Sequence, residues 1–370
     1  FYYTPPTGFL ALCTKNLPDV AVVPSEHFNT VLYTGNASTN AITVGFEPSL
    51  VWTKNREDTY FHTLYDAVRG TGNTKAIHSN DTAAEGTHSA HNNLVSFDTN
   101  GFTLGATSST NVPNYNTHSY VSWNWKAGTS VSGNTSGSGT AQSYTGSVNT
   151  DAGFSIIKYT GNGTDGMQVP HHLGVVPDAI FIKSLTVASW QVFLPNAITA
   201  EKSLQLDNTG AQGGPYYSTH LSDTMPTTSL VTLGNGAMTN TFADGVGQDY
   251  IMYCWANKDG YSKAGKYTGN ASSTPADGTF VYTSFKPLWL MIRRTDATGN
   301  WRIYDTKRSP FNYMDELLSA EATDAEAEGS TSRVDFLSNG FKLRGSASGT
   351  NRDGGTYIYI AFAETPFKYS

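Results

Sequence analysis

A unit of about 100 residues occurs three times in this chain of 370 residues, and the repetition restricts the folds available to it. Each copy contains the phrase Tyr-Thr-Gly-Asn-x-Ser/Thr, whose tyrosines are Tyr33, Tyr159 and Tyr267. The unit is longer than the roughly 20–50 residues of a solenoid repeat and suits an independent β domain. The chain is therefore expected to contain three similar domains.

Four further landmarks follow each phrase in a fixed order. The first is a proline with a cation six residues later: PSLVWTK (48–54), PDAIFIK (177–183) and PLWLMIR (287–293). The second is an aromatic segment: HTLYDAVR (62–69), WQVFLP (190–195) and WRIYDTKR (301–308). The third is SFDTNGFTLG (96–105) or DFLSNGFKLR (335–344), of which the middle copy keeps only SLVTLG (229–234). The last is an aromatic strand that starts at Tyr120, Tyr250 or Tyr357.

Strand signals dominate all three copies. Short runs of β-branched and aromatic residues alternate with turn residues, and Asn-Gly between such runs is the strongest short hairpin signal. The sequence therefore predicts an all-β chain of three tandem concanavalin-like or jelly-roll β-sandwiches, at residues 28–127, 154–258 and 259–370.

Three segments lie outside this pattern. Residues 1–27 are interpreted as a strap or as the edge of a preceding domain, and the Gly/Ser/Thr-rich residues 128–153 as a flexible linker or an extended strap. For the acidic residues 313–328, a short helix and a solvated loop both remain open. The chain begins Phe-Tyr-Tyr without Met, which indicates a fragment or a processed product.

The charge balance argues against several classes of protein. The formal net charge is −7 and only 14% of residues are charged, whereas a nucleic-acid binder needs a basic stripe. No apolar run is long enough to predict a membrane span, so membrane insertion is not expected. The abundance of Gly, Ser, Thr and Asn predicts an uncharged polar surface of the kind common on extracellular and virion proteins.

Only two cysteines are present, Cys13 and Cys254. Cys254 lies in an apolar strand pattern and is expected to be a buried free thiol, although a disulfide remains open. With so few cysteines, the fold is not expected to depend on disulfides or zinc, and no cofactor is predicted.

The repeated phrase has three interpretations: a glycosylation acceptor, a ligand-binding signature and a turn. A turn is favoured because it explains why the phrase recurs at one register of every copy. The glycines Gly35, Gly161 and Gly269 are predicted to make the bend, with glycine permitting a positive φ angle.

Charged and titratable pairs were the next candidates for a site. His171 and His172 are adjacent, so on a strand they would point to opposite faces, and a strand edge or turn is favoured over a metal site. Asp66 and Arg69 recur as Asp305 and Arg308, which predicts a local charged pair that fixes a loop. A ligand-binding role for Asp305 and Arg308 remains open.

The chain is not predicted to be an enzyme. The carboxylates between Asp315 and Glu328 match neither a sandwich-glucanase motif nor an EF-hand, and no nucleophile elbow or phosphate loop is present. All seven tryptophans lie in strand landmarks and are expected in the core rather than in sugar-stacking platforms. Tyr216 and Tyr217, in the loop-like GGPYYSTH (213–220), are better candidates for exposed ligand stacking.

The opening YTPPTGFLALCTKNLP (3–18) resembles the C-terminal edge of SPRY-type domains in virion proteins of tailed marine phages. In those proteins a similar phrase precedes tandem modules of unknown function, which the three repeats resemble over nearly the whole chain. VPHHLGVVPDAIFIKS (169–184) and RTDATGNWRIYDTKRSPFN (294–312) are the most specific stretches. The first copy departs from the pattern with VGFEP (44–48), and the middle copy lacks Asn-Gly-Phe. The resemblance brings no catalytic residues with it.

The resemblance implies a virion structural protein located on the particle, such as a tail fibre or appendage that presents modules to host-surface glycans. The expected partners are copies of itself as a homo-oligomer, such as a trimer, and other virion proteins. A capsid-decorating or purely structural fibre without a ligand is the alternative, and a polysaccharide-degrading enzyme is a more distant one.

Overall fold

The computed structural model describes residues 5–9, 13, 16, 21–88, 93–198, 202–213, 218–243, 246–271 and 277–367. Among these residues the regular structure is almost entirely β-strand. The exceptions are one 3-10 turn at Pro24–Glu26 and one short helix, α1 (Ser218–Leu221). The prediction of an all-β, sandwich-type chain is confirmed. No helix in the described ranges has the length and apolar character needed to cross a bilayer.

The first module is a sandwich of a four-stranded and a three-stranded antiparallel sheet. The larger sheet has the order β1-β7-β3-β4 and the smaller the order β2-β6-β5. The strands are β1 (Phe28–Thr34), β2 (Asn40–Thr43), β3 (Leu50–Asn55), β4 (Thr63–Asp66), β5 (Leu94–Asp98), β6 (Gly101–Leu104) and β7 (Ser119–Trp125).

The second module has a larger sheet of order β14-β13-β18-β11-β10-β8, a smaller sheet of order β15-β12-β9, and the hairpin β16-β17. Its strands are β8 (Thr129–Asn134), β9 (Ser136–Gly137), β10 (Ser143–Asn149), β11 (Phe154–Thr160), β12 (Met167–Pro170), β13 (Ala179–Ser184), β14 (Gln191–Phe193), β15 (Leu230–Leu233), β16 (Phe242–Ala243), β17 (Val246–Gly247) and β18 (Asp249–Trp255).

The third module has sheets of order β19-β27-β21-β22-β23-β24 and β20-β26-β25. Its strands are β19 (Ser262–Thr268), β20 (Phe280–Tyr282), β21 (Phe285–Arg294), β22 (Arg302–Asp305), β23 (Glu316–Ser319), β24 (Ala327–Glu328), β25 (Val334–Leu337), β26 (Gly340–Leu343) and β27 (Thr356–Pro366).

The three modules share one strand plan. In each larger sheet the first repeat strand pairs with the last, and the last pairs with the Pro-to-cation strand. The register is also repeated, because the tyrosine of the repeated phrase faces the tyrosine that opens the last aromatic run. These pairs are Tyr33–Tyr120, Tyr159–Tyr250 and Tyr267–Tyr357.

Residues 128–153, predicted as a linker, instead contain strands β8, β9 and β10, which extend the sheets of the second module. Tyr144 and Val148 anchor this segment in the core. At Gly146 the small residue reflects close packing, because a Cβ there would lie 2.5 Å from Cδ1 of Ile157. Composition alone could not separate close packing from flexibility.

The acidic segment 313–328 is neither a helix nor a plain loop. It contains β23 and β24, which extend the larger sheet of the third module. Leu317 and Leu318 are buried, and Glu316 pairs across the ladder with Glu328. Consecutive buried leucines on a strand, which the clustered acids obscured, explain the segment.

One hydrophobic core joins all three modules. The faces of the larger sheets that point toward the centre of the molecule meet in this core. Smaller separate clusters fill the space between the two sheets of the first and third modules. Trp125 of the first module lies 6.1 Å from Trp255 of the second and 5.5 Å from Phe362 of the third, between ring centroids. These three residues occupy the same position of the last repeat strand, so the repeats converge on a common centre.

Candidate functional site

Each repeated tyrosine closes a turn at the outer end of its module. Its hydroxyl donates a hydrogen bond to a backbone carbonyl that precedes a buried asparagine. The bonds run from Tyr33 to Pro113 (2.7 Å), from Tyr159 to Thr239 (2.6 Å) and from Tyr267 to Thr350 (2.5 Å). The same rings stack on their strand partners Tyr120, Tyr250 and Tyr357, with centroids 5.0–5.3 Å apart.

The buried asparagines were missed by the sequence reasoning. Asn114, Asn240 and Asn351 are all fully buried, and the side-chain oxygen of each accepts a hydrogen bond from the backbone of the repeated phrase. The donors are the N–H groups of Asn36 (3.0 Å), Asn162 (2.7 Å) and Asn270 (3.0 Å). The available signal was an asparagine six to ten residues before the tyrosine of each last strand.

The turn interpretation is confirmed, but the reason given for its glycines was wrong. The positive φ angles lie two residues later, at Ala37 (55°), Gly163 (69°) and Ala271 (38°). Gly35 is needed because a neighbouring backbone approaches it: a Cβ there would lie 2.1 Å from the carbonyl oxygen of Tyr115. At Gly269 the corresponding distance is 2.4 Å, to the carbonyl oxygen of Arg352, and at Gly161 it is 3.0 Å.

These distances predict an order of damage. Gly35→Ala is expected to destabilise the protein by about 2–4 kcal/mol, because backbone must move to admit the methyl group. Gly161→Ala is expected to cost less, since its nearest contacts are 3.0 Å away. Asn36→Ala serves as the control for the same turn, and removes the exposed bond to the N–H of Ser38. Chemical denaturation measures all three, and equal losses for Gly35→Ala and Asn36→Ala would contradict the close-approach explanation.

The interfaces between modules repeat in a cycle. In each module, the first residue of the aromatic landmark donates a ring N–H to a backbone carbonyl of another module. The first module donates to the third, the second module to the first, and the third module to the second. The bonds join His62 Nε2 to Ser319 (3.0 Å), Trp190 Nε1 to His78 (2.8 Å) and Trp301 Nε1 to Gln205 (2.8 Å).

The cation of each Pro-to-cation strand follows the same cycle. The ammonium of Lys183 donates to five carbonyl oxygens, including Thr82 and Ala83 of the first module at 3.2 and 3.0 Å. Arg293 donates from Nη2 to the carbonyl of Gly210 in the second module. Lys54 bonds carbonyls of its own module and lies in the field of Asp324 of the third. Burial lowers the pKa of these side chains, to about 7 for Lys54, 8 for Lys183 and 10 for Arg293.

A third repeated contact sits at the end of the fourth repeat strand. Asp66 accepts a bond from Arg69 Nε (2.5 Å) and from the hydroxyl of Tyr253 in the second module (2.7 Å). Asp305 accepts from Arg308 Nε (2.6 Å) and from Trp123 Nε1 of the first module (3.1 Å).

The second module has neither the acid nor the cation at this place. Strand register puts Leu194 where the other modules have Asp66 and Asp305. In the third module, Ile360 occupies the position of Tyr253 and Trp123. Leu194 and Ile360 both lie in the shared core. At this one position, two interfaces therefore have a polar contact and the third has apolar residues.

The paired charges predicted from the sequence are thus interface groups. The side chains of Asp305 and Arg308 are 0% exposed, and Arg308 also bonds Glu326 (2.9 Å) and the carbonyl of Ile303 (2.9 Å). The local-pair prediction is confirmed, and this burial leaves no exposed surface for the ligand-binding alternative. Tyr216 and Tyr217 lie outside the described residues.

Other sequence predictions can be placed directly. All seven tryptophans are buried, as expected for core residues. His171 and His172 follow β12 and bond different groups, the carbonyl of Thr227 and the hydroxyl of Tyr144, so the two rings do not share a site. Cys254 is a buried free thiol whose pKa is raised by burial, and Cys13 is also unpaired in the structure.

His62 makes the stability of one interface depend on pH. Its Nδ1 accepts from Trp52 Nε1 (2.9 Å) while its Nε2 donates to Ser319, which requires the neutral ring. Burial, followed by the charge of Lys54, holds the pKa of His62 well below its usual value. The unfolded chain binds a proton below about pH 6.5 that the folded protein does not, so the stability falls as the pH drops.

His62→Gln is therefore expected to be less stable at pH 7 but to depend less on pH. Between pH 7 and 5 its free energy of unfolding should fall by about 2 kcal/mol less than that of the parent protein. Urea unfolding across this range measures the difference. An unchanged slope would mean that His62 is not a neutral group in the folded state.

A cleft of about 660 Å³ lies between the first and second modules. Short side chains such as Ser49 and Ser130 line it, together with Glu47, Lys126 and Val131. It contains none of the candidate site residues. Among the described residues, no group of three His, Cys, Asp or Glu side chains is placed to hold a metal ion.

An exposed aromatic face lies on the smaller sheet of the third module. Phe280 and Tyr282 of β20 are 45% and 51% exposed, while Val281 between them points into the sandwich. The Phe280 ring lies over Gly340, where a Cβ would come within 3.1 Å of its Cε2. Lys342 of β26 pairs directly with Phe280. We call the outward side of β20, β26 and β25 the outer face of the third module.

The other modules carry different residues at the same register. Phe280 corresponds to Ala41 and Gln168, Tyr282 to Thr43 and Pro170, and Lys342 to Thr103 and Thr232. The aromatic residues and the cation are therefore specific to the third module. The repeats fix the sandwich, and this face differs among them.

The fold and its interfaces define a class: an all-β protein in which three repeated sandwiches close around one core. The sequence model of a family described as a domain of unknown function, DUF7483, matches residues 23–366, and the chain belongs to that family. The match spans all three modules, so the closed set of three corresponds to one family unit. No curated protein matches the chain.

Proposed function

We propose that this protein is a non-enzymatic attachment protein of an extracellular fibre, such as a tail fibre or appendage of a phage virion. It would present the outer face of the third module to a glycan on the host surface. The resemblance of residues 3–18 and of the repeats to virion proteins supports this location. The expected partners are copies of the chain, other virion proteins and the host glycan.

The exposed pair Phe280 and Tyr282 carries the proposal. Exposed aromatic patches on a folded protein commonly mark interaction sites, and flat aromatic rings suit the apolar faces of sugar rings. The modules that share the same sandwich replace both rings with small or polar residues, so the fold does not require them. The shared core makes the three modules one rigid body, and several copies on one particle would convert weak binding into firm attachment.

The test uses residues that the first module already accepts at this register. Phe280→Ala combined with Tyr282→Thr copies Ala41 and Thr43, so the variant should fold with an unchanged melting temperature. Binding of the purified protein to a glycan array and to host cells is expected to fall at least tenfold. Val187→Ser removes another exposed apolar side chain, which is 73% exposed, and should bind as the parent does.

Two outcomes would reject the attachment function. One is that the parent protein shows saturable binding neither to any glycan nor to host cells. The other is parental binding that survives the double substitution. Either would favour a structural or capsid-decorating fibre without a ligand. Electron microscopy of labelled particles checks the location separately.

A further inference from the structure

We propose that the outer face of the third module recognises an acidic polysaccharide whose carboxylates occur on successive sugar rings, that is, a polyuronate. This inference rests on the attachment function proposed above and adds the chemical class of the ligand. It starts from the side chains that surround the two exposed rings.

Cations lie on the outer face next to the aromatic residues. Lys342 stands directly across the ladder from Phe280, and opposed side chains in such a pair lie roughly 5 Å apart. The ammonium of Lys263 lies 5.4 Å from the centroid of the Tyr282 ring. A sugar stacked on Phe280 or Tyr282 would therefore have an ammonium group beside its ring.

The far edge of the face repeats this combination of ring and cation. Tyr313 is 45% exposed, and the guanidinium of Arg333 lies 5.0 Å from its ring centroid. Asn312 holds this segment against β25 through two hydrogen bonds with the backbone of Phe336, at 2.9 and 3.0 Å. Aromatic rings thus border the cations at both edges of the outer face.

The charge of the face has the sign opposite to that of the chain. Four cations lie on the outer face or beside it, namely Arg333, Lys342, Arg344 and, from the neighbouring strand β19, Lys263, together with two carboxylates. These are Asp335, which pairs with Arg344, and Asp315, which lies 3.6 Å from Arg333. The chain as a whole carries a formal charge of −7, so this local excess is not a general property of the surface. Such a patch attracts an anionic partner and selects against neutral ones.

The spacing of the cations favours a polymer with one charge per ring. Arg344 directly follows β26 and lies two residues after Lys342, so in extended backbone their Cα atoms are roughly 7 Å apart. A patch with a net charge of only two is weak for a densely sulfated chain and suits one carboxylate per sugar. Ammonium and guanidinium groups are hydrogen-bond donors that suit a carboxylate.

The experiment compares polygalacturonate with its methyl ester, which keeps the sugar backbone and removes the charge. Binding to the full chain is measured by biolayer interferometry at low and high salt. The parent protein is expected to bind polygalacturonate at least tenfold more tightly than the ester, and to lose most of this preference in high salt because screening weakens charge contacts. Lys342→Thr, which copies Thr103, should reduce polygalacturonate binding about tenfold and leave binding to the ester unchanged.

The outcomes separate this inference from the attachment function. Equal binding of both polymers, or a preference for polygalacturonate that survives Lys342→Thr, overturns the inference of an acidic ligand. The attachment function still stands in that case if the Phe280→Ala/Tyr282→Thr variant loses host-cell binding. Absence of polygalacturonate binding overturns the polyuronate as well. If neither the Lys342→Thr variant nor the Phe280→Ala/Tyr282→Thr variant loses host-cell binding, both proposals are overturned.

Discussion

Asp66→Ala is expected to destabilise the protein by about 3 kcal/mol, because the buried guanidinium of Arg69 loses its closer carboxylate and keeps only Glu85, at 3.1 Å. The side chains of Asp66 and Arg69 are both 0% exposed, and the same carboxylate accepts the hydroxyl of Tyr253 from the second module. The substitution therefore breaks a contact within the first module and one between modules. Urea unfolding at pH 7 measures the loss.

The third interface supplies the matched control for this prediction. There the second module has Leu194 and Ala197 in place of Asp66 and Arg69, and the third has Ile360 in place of Tyr253. The triple variant Asp66→Leu, Arg69→Ala, Tyr253→Ile introduces the three apolar residues found at those positions. Since a well-packed apolar set can replace a buried ion pair with little loss, the triple variant should recover to within about 2 kcal/mol of the parent. A triple variant as unstable as Asp66→Ala would show that the two kinds of interface are not interchangeable.

The repeat was enough to predict the sandwich plan, because each landmark is a local pattern with a local structural cause. The Pro-to-cation runs became the central strands β3, β13 and β21, and the Asn-Gly of the third copy lies at a hairpin, where Asn339 precedes the first residue of β26, Gly340. Tandem order in the sequence, however, says nothing about whether domains stand apart. The clearest signal of a shared core was that the tryptophans of successive copies occupy equivalent places, such as Trp125 and Trp255.

The residues that differ between copies were the hardest to interpret from the sequence. Lys54, Lys183 and Arg293 were recognised as equivalent, but the carbonyl partners that Lys183 and Arg293 have in other modules carry no sequence pattern. The outer face was missed for a related reason. Phe280 and Tyr282 alternate with Val281 as any half-buried strand does, and only the register shows which side of the sheet they occupy.

Removing the third module is expected to unfold the rest of the chain. All three larger sheets contribute to one core, in which Trp125 contacts both Trp255 and Phe362. A protein of residues 1–258 would expose these rings together with Phe181, which lies 6.4 Å from Trp301 of the third module. An apolar surface of this size is unstable in water, so the fragment should bind the dye ANS and lack a cooperative thermal transition.

The fragment carrying residues 259–370 provides the complementary measurement. Its own cluster between the two sheets, which includes Phe285 and Phe341, could hold a sandwich together, but Trp289 and Ile360 would be exposed. Mixing the two fragments should therefore restore one transition whose midpoint rises with protein concentration, as expected when association stabilises the folded state. The intact chain should unfold in a single transition, because no module has a complete core of its own. Two well-folded fragments with separate melting temperatures, unaffected by mixing, would instead mean that the modules are independent domains that merely touch.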